Sequence, residues 1–232
     1  MRTLHSRLIL LTALLSATQG MAADRHRVPP PVEMQEPARA QYLRILAALD
    51  AEGRLDDDKP ALERVARILS GLVTAIPAAR AEAGDWSWEA HVTSDARIDA
   101  FGMPGGKLIV GSRFVARLEL DDAELATLIA HEMAHVIAGH RRPPPSDSME
   151  MDVSERLRLA GIAFGQESEA DAIGMELAHR AGWPSAGIVG FYEKLAAAQG
   201  QASFSATHPQ AAARLARARE IVATFAREKF PR

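Results

Sequence analysis

His131-Glu132-Met133-Ala134-His135 places two imidazoles four residues apart. On a helix, positions i and i+4 share a face with Cβ atoms roughly 5–6 Å apart, close enough for two ring nitrogens to bind one zinc ion. Glu132 flanks the same face and can reach a water on the metal without being a ligand. Catalytic zinc normally takes three protein ligands and keeps a fourth position open. Glu167-Ser168-Glu169-Ala170-Asp171 offers the missing one. Glu167 and Asp171 are again i and i+4, so Glu167 is the candidate third ligand. Asp171, one turn on, can accept a hydrogen bond from the other ring nitrogen of a ligating histidine. Glu169 is expected to point elsewhere. Alone, such a segment reads as a solvated charged face; after the histidine motif it reads as the rest of a metal site. The expected chemistry is hydrolysis with one zinc per chain, Glu132 acting as general base on a water of lowered pKa. A purely structural zinc site would prefer cysteine and four protein ligands, and the chain has no cysteine.

These residues need helices to hold them. Asp121 with Glu124 three residues later forms a capping box. Leu125, Leu128, Ile129, Val136 and Ile137 then supply apolar positions up to Gly139 and Pro143-Pro144-Pro145. A helix over about 149–163 and another over roughly 167–181, ended by Gly182 and Pro184, are expected next. Helices over 185–198 and 209–228 complete the chain. Upstream, Asp56, Asp57 and Asp58 before Pro60 signal a helix start, and Leu62 to Ile76 continue with helical spacing. Trp86, Trp88, Ala90 and Val92 alternate with Ser87, Glu89, His91 and Thr93, the period of a half-buried strand. Arg97–Phe101 and Lys107–Gly111 are two further strands around a turn at Met103-Pro104-Gly105-Gly106. The expected fold class is α+β, mainly helical, with a small antiparallel sheet.

Composition bounds the rest. The chain has 232 residues, 47% hydrophobic and 25% charged, an ordinary soluble balance. Arg2, Arg7, the apolar run Leu8–Leu15 and the small residues of Gly20-Met21-Ala22 read as a cleaved secretory signal. The run is well short of the roughly 20 residues that span a bilayer, and no other segment is apolar enough. The expected organisation is a signal peptide over 1–22, a proline-rich linker and N-terminal helical segment over 23–57, with a helix at 38–50, and a catalytic domain over 58–232. Without cysteine there is no lipoprotein anchor. Net charge is −3, and no basic stripe interleaved with aromatics appears, which argues against nucleic acid as a partner. His5, His26, His91, His140 and His179 read as non-ligands, His91 pointing outward from its strand.

Four segments resemble the gluzincin metallopeptidases that include HtpX, the CAAX prenyl proteases and the periplasmic BepA-type proteases. They are Asp99-Ala-Phe-Gly-Met-Pro-Gly-Gly106, where the family commonly has Asn for Asp99; Glu124 to His135; Glu167 to Gly174; and Thr207-His208-Pro209 with Arg214. The resemblance spans about 60–220. It is nearest to small soluble periplasmic members without a tetratricopeptide domain. It implies a zincin-like peptidase domain with Glu167 as ligand. It implies that His208 lies beside the metal, where it stabilises the intermediate or closes the open position. Arg214 either orients the site or is one more basic residue of the last helix. Asp99, Ala100, Phe101 and Gly102 would pair with an extended substrate backbone. The expected partners are polypeptides, with envelope assembly machinery as a further candidate. The expected compartment is the periplasm. The alternative expectation is a periplasmic chaperone or assembly factor whose zinc site is closed.

Overall fold

A computed structural model describes residues 31–77, 80–140, 153–198 and 211–227. The signal-like residues 1–22, the loop at 141–148 and His208 with Thr207 and Pro209 lie outside the described residues.

Helix α1 spans Pro31–Ala51. It therefore begins inside the stretch expected to be linker: a proline suits a helix's first turn, where its missing N–H has no partner to lose. Helix α2, Lys59–Thr74, is capped by Asp58, whose carboxylate accepts from the Ala61 amide at 3.0 Å. It buries Val65, Ile68, Leu69 and Leu72. A single turn, α3, covers Ala81–Gly84.

The strands are β1 (Glu89–Thr93), β2 (Ala100–Met103) and β3 (Lys107–Gly111), in the order β1-β3-β2. β2 and β3 form the expected antiparallel hairpin. Gly105 and Gly106 take φ of +82° and +77° at its turn, and a Cβ on Gly106 would press on Trp88 at 3.0 Å. The sheet is mixed, not antiparallel, because the returning β3 inserts between β1 and β2 and runs parallel to β1. The strand expected from Arg97 starts only at Ala100. Asp95 captures the Arg97 amide at 2.9 Å and its guanidinium as well, so the chain turns there before extending. β3 is covered on both faces: Leu108 and Val110 join the main core, while Ile109 packs with Tyr42 and Leu49 of α1.

After α4, Ser112–Arg117, comes the central helix α5, Asp122–Ile137. Its capping box is complete. Asp121 accepts from the Ala123 and Glu124 amides at 2.9 Å, and Glu124 accepts from the Asp121 amide at 2.8 Å. α5 contacts α2, β2, α6 and α7, and is buried nearly all round, as a helix at the middle of a domain must be.

Helix α6 runs unbroken over Val153–Arg180, where two helices were expected. Nothing between 163 and 167 stops it: Gly165 costs about 1 kcal/mol of propensity but does not end a helix whose neighbours continue. Helices α7, Ser185–Ala197, and α8, Ala211–Phe225, pack on each other and on α5 and α6. Among the described residues, no helix is long and apolar enough to cross a membrane.

Candidate metal centre

The capping box sets where α5 begins, and the helical repeat then brings His131 and His135 together. Their Nε2 atoms lie 3.0 Å apart, with the rings edge-to-face. α6 crosses α5 at Gly174, where a Cβ would sit 2.9 Å from the His131 amide nitrogen and Cα. Only glycine permits so close a crossing. One and two turns upstream of it, α6 presents Asp171 and Glu167 to the histidines. Glu167 Oε1 is 3.2 Å from His135 Nε2, and its Oε2 is 3.5 Å from His131 Nε2. Donors held at zinc's usual bond lengths of about 2.0–2.1 Å in a tetrahedron are roughly 3.3 Å apart. The three observed separations therefore fit one zinc ion. Two imidazoles and a carboxylate are also a catalytic rather than structural donor set.

Around the donors is a buried ionic network. Asp171 Oδ1 lies 3.0 Å from His131 Nδ1, accepts from the Tyr192 hydroxyl at 2.7 Å and accepts from Arg214 Nη2 at 2.6 Å. Arg214 Nε donates to Asp171 Oδ2 at 2.9 Å, while Nη1 stands 3.1 Å from Glu167 Oε2. The guanidinium, 4% exposed, also lies over the Tyr192 ring. Burial alone would raise the pKa of Asp171, but Arg214 beside it holds the carboxyl well below its ordinary range. The same pairing keeps Arg214 charged against the pull of burial. Burial and the Asp171 charge push the Tyr192 hydroxyl up, so it stays a donor. Arg214 is thus placed inside the site, and not among the exposed basic residues of α8.

Glu132, 3% exposed, accepts from the Gly102 amide at 3.1 Å through Oε2. β2 reaches this close because Gly102 has no Cβ: one there would be 2.5 Å from Val136 Cγ2 and 2.8 Å from the Glu132 carbonyl. The four residues expected along the substrate thus differ in their surroundings. The Gly102 amide faces Glu132. Asp99 is buried and holds Arg117 at 3.2 Å, and its carbonyl accepts from the Gly111 amide. Ala100 is buried, and Phe101 packs toward α1.

Two residues read as bystanders belong to the site's surroundings. His140 follows Gly139, whose φ is +68°. Its Nδ1 lies 3.0 Å from His135 Nδ1 and its Nε2 3.2 Å from Glu169 Oε2. Glu169 points away from the donors, as expected, and meets His140 instead. Burial pushes the His140 pKa down, Glu169 opposing. The available sequence signal was the glycine that folds His140 back over the helix end. His91 is half-buried, 2.6 Å from Asp56, and His179 stacks on Phe225.

Residues 62–163 match the family described as Peptidase family M48. The chain is similar to proteins named mitochondrial metalloendopeptidase OMA1. With that of Schizosaccharomyces pombe it is 30% identical over 159 residues, covering 59% of this chain and 47% of the relative. With that of Arabidopsis thaliana it is 29% identical over 143 residues, covering 53% and 29%. A 55-residue stretch is 44% identical to the Saccharomyces cerevisiae protein, covering 23% of this chain and 16% of that one. The chain thus spans less than half the length of these curated relatives. The family match ends before Glu167, so the third donor rests on the geometry of α6. The matched region, the HExxH helix and the converging donors fit a zinc-dependent metallopeptidase domain similar to peptidase family M48.

Proposed function

We propose that the chain is a zinc-dependent endopeptidase that hydrolyses peptide bonds in unfolded or misassembled proteins of the bacterial envelope. The observation that carries this is the convergence of His131, His135 and Glu167 on one point, with the buried carboxylate of Glu132 beside them on the same helix. His131, His135 and Glu167 would hold the zinc. When bound, zinc supplies the Lewis acidity that makes water a nucleophile near neutral pH. Glu132 then takes the proton from the attacking water and delivers it to the leaving amine. The Gly102 amide holds the Glu132 carboxylate in place for both transfers. Asp171 fixes the tautomer of His131 by taking its Nδ1–H, so that Nε2 keeps a lone pair for the metal. Arg214, itself buried, offsets the charges of Asp171 and Glu167. β2, an outer strand of the sheet, offers backbone groups to an extended polypeptide, a mode that reads chain rather than side chains. His208, from the resemblance, would complete the site.

Export to the periplasm rests on the N-terminal sequence, and kinship with the small periplasmic members rests on the four quoted segments. The matched relatives are named as mitochondrial, so the compartment needs its own test: fractionation with determination of the mature N-terminus. For the chemistry, the test is Glu132→Gln on the purified protein. It should keep one zinc per chain and lose cleavage of an unfolded protein substrate; retained cleavage overturns the assignment.

A further inference from the structure

We propose that His140, backed by Glu169, is a positioning residue for the metal ligand His135, a second orienting arm opposite the one Asp171 gives His131. The inference rests on the zinc site of the proposed peptidase. His135 offers Nε2 toward His131 Nε2 and Glu167, so a metal there takes the Nε2 lone pair and leaves the ring proton on Nδ1. That Nδ1–H faces His140 Nδ1 at 3.0 Å, so His140 accepts there and carries its own proton on Nε2. Nε2–H in turn faces Glu169 Oε2 at 3.2 Å. The direction of each hydrogen bond is therefore set from the metal outward: each imidazole satisfies it with one tautomer, and the Glu169 carboxylate accepts the last bond. The His140 amide also donates to the His135 carbonyl at 3.0 Å, so the backbone at the helix end carries the ring to its place. His131, fully buried, is oriented by a carboxylate directly. His135, on the more open side of the site, is oriented by a carboxylate acting through an imidazole.

Four zinc-loaded proteins test this: wild type, His140→Ala, His140→Asn and Glu169→Ala. Zinc affinity is read by chelator competition, and ligand geometry by the visible spectrum after cobalt substitution. Removing such a partner typically weakens metal binding about 10- to 100-fold. His140→Ala should show that loss with a changed cobalt spectrum. His140→Asn, whose amide oxygen can occupy the place of Nδ1, should restore most of both. Glu169→Ala should show the smaller loss, its carboxylate being largely exposed. Wild-type affinity and spectrum in His140→Ala overturn the proposal, as does a loss that His140→Asn fails to restore. A wild type that binds zinc but cleaves nothing would instead defeat the peptidase reading and leave this arm standing. Should His140→Ala fail to fold by circular dichroism, Glu169→Ala and His140→Asn still decide.

Discussion

The amide of Gly102 donates to the carboxylate of Glu132 across 3.1 Å, joining the outer strand of the sheet to the helix that carries both histidines. The contact exists because residue 102 has no side chain, and a methyl group there would overlap Val136 and the Glu132 carbonyl. Gly102→Ala should therefore push β2 off α5. A destabilisation of about 1–3 kcal/mol is expected from overpacking of this kind. The peptidase kcat should fall further than zinc content, since both histidines stay on their helix. Thermal melts, metal analysis and kcat on one preparation check this; unchanged kcat would break the link between strand and base.

Asp171→Asn keeps an oxygen near His131 but removes the charge that Arg214 faces. Arg214 would then be a buried cation left with Glu167 alone. Zinc affinity should fall about 10- to 100-fold, and Asp171→Ala should fall at least as far. Competition titration against a chelator of known affinity measures both.

Removing Arg214 from the same network leaves two buried carboxylates, in the metal-free protein, with His131 but no guanidinium to offset them. Breaking a buried pair in this way costs about 3–5 kcal/mol. Arg214→Leu should show that loss in denaturant unfolding of the metal-free protein. Added zinc should recover part of it, because the cation restores positive charge beside Glu167. Arg214→Lys should not rescue fully, since an ammonium cannot make the paired Nε and Nη2 contacts.

Metal removal should also give the protein a new pH dependence. In chelated protein, burial and Arg214 disfavour a charged His131, yet Asp171 and Glu167 prevail and its pKa is raised to about 9. The folded value is above the ordinary 6.5, so this stabilisation is complete below about pH 6.5 and is lost as pH rises through about 9. Zinc needs the neutral ring, so binding near pH 7 should expel about one proton and tighten with rising pH up to about 9. Calorimetry in buffers of different ionisation heat reads the proton directly. Binding with no proton release would contradict the Asp171–His131 pairing.

What could be read from the sequence was what lies close along the chain. The capping box at Asp121 and Glu124, the histidines one turn apart and the pairing of Glu167 with Asp171 on one face are all local arrangements. A helix repeat converts each into geometry. β3 was legible for the same reason. The mixed sheet was not, because nothing in β1 or β3 records which strand inserts where. The break expected between 163 and 167 rested on two separate motifs rather than on any helix-stopping residue. The contact of His140 with Glu169 was missed because it joins residues 29 apart, and Arg214 stayed ambiguous because its carboxylate partners lie 43 and more residues away. The remaining expectation of the site, His208, lies outside the described residues.

The unbroken α6 has a consequence for how this chain can vary. Glu167, Glu169, Asp171 and Gly174 are four marks on one rod: Glu167 meets both histidines, Asp171 the His131 ring, Gly174 the His131 backbone, and Glu169 the His140 that follows α5. Their angular phase is shared. A single residue inserted between 166 and 174 would turn the marks on one side of it by about 100° relative to those on the other. Substitutions along the outer face of α6 are independent of one another, but its length between these marks is not. The metal centre should accept many changes of residue there and none of register.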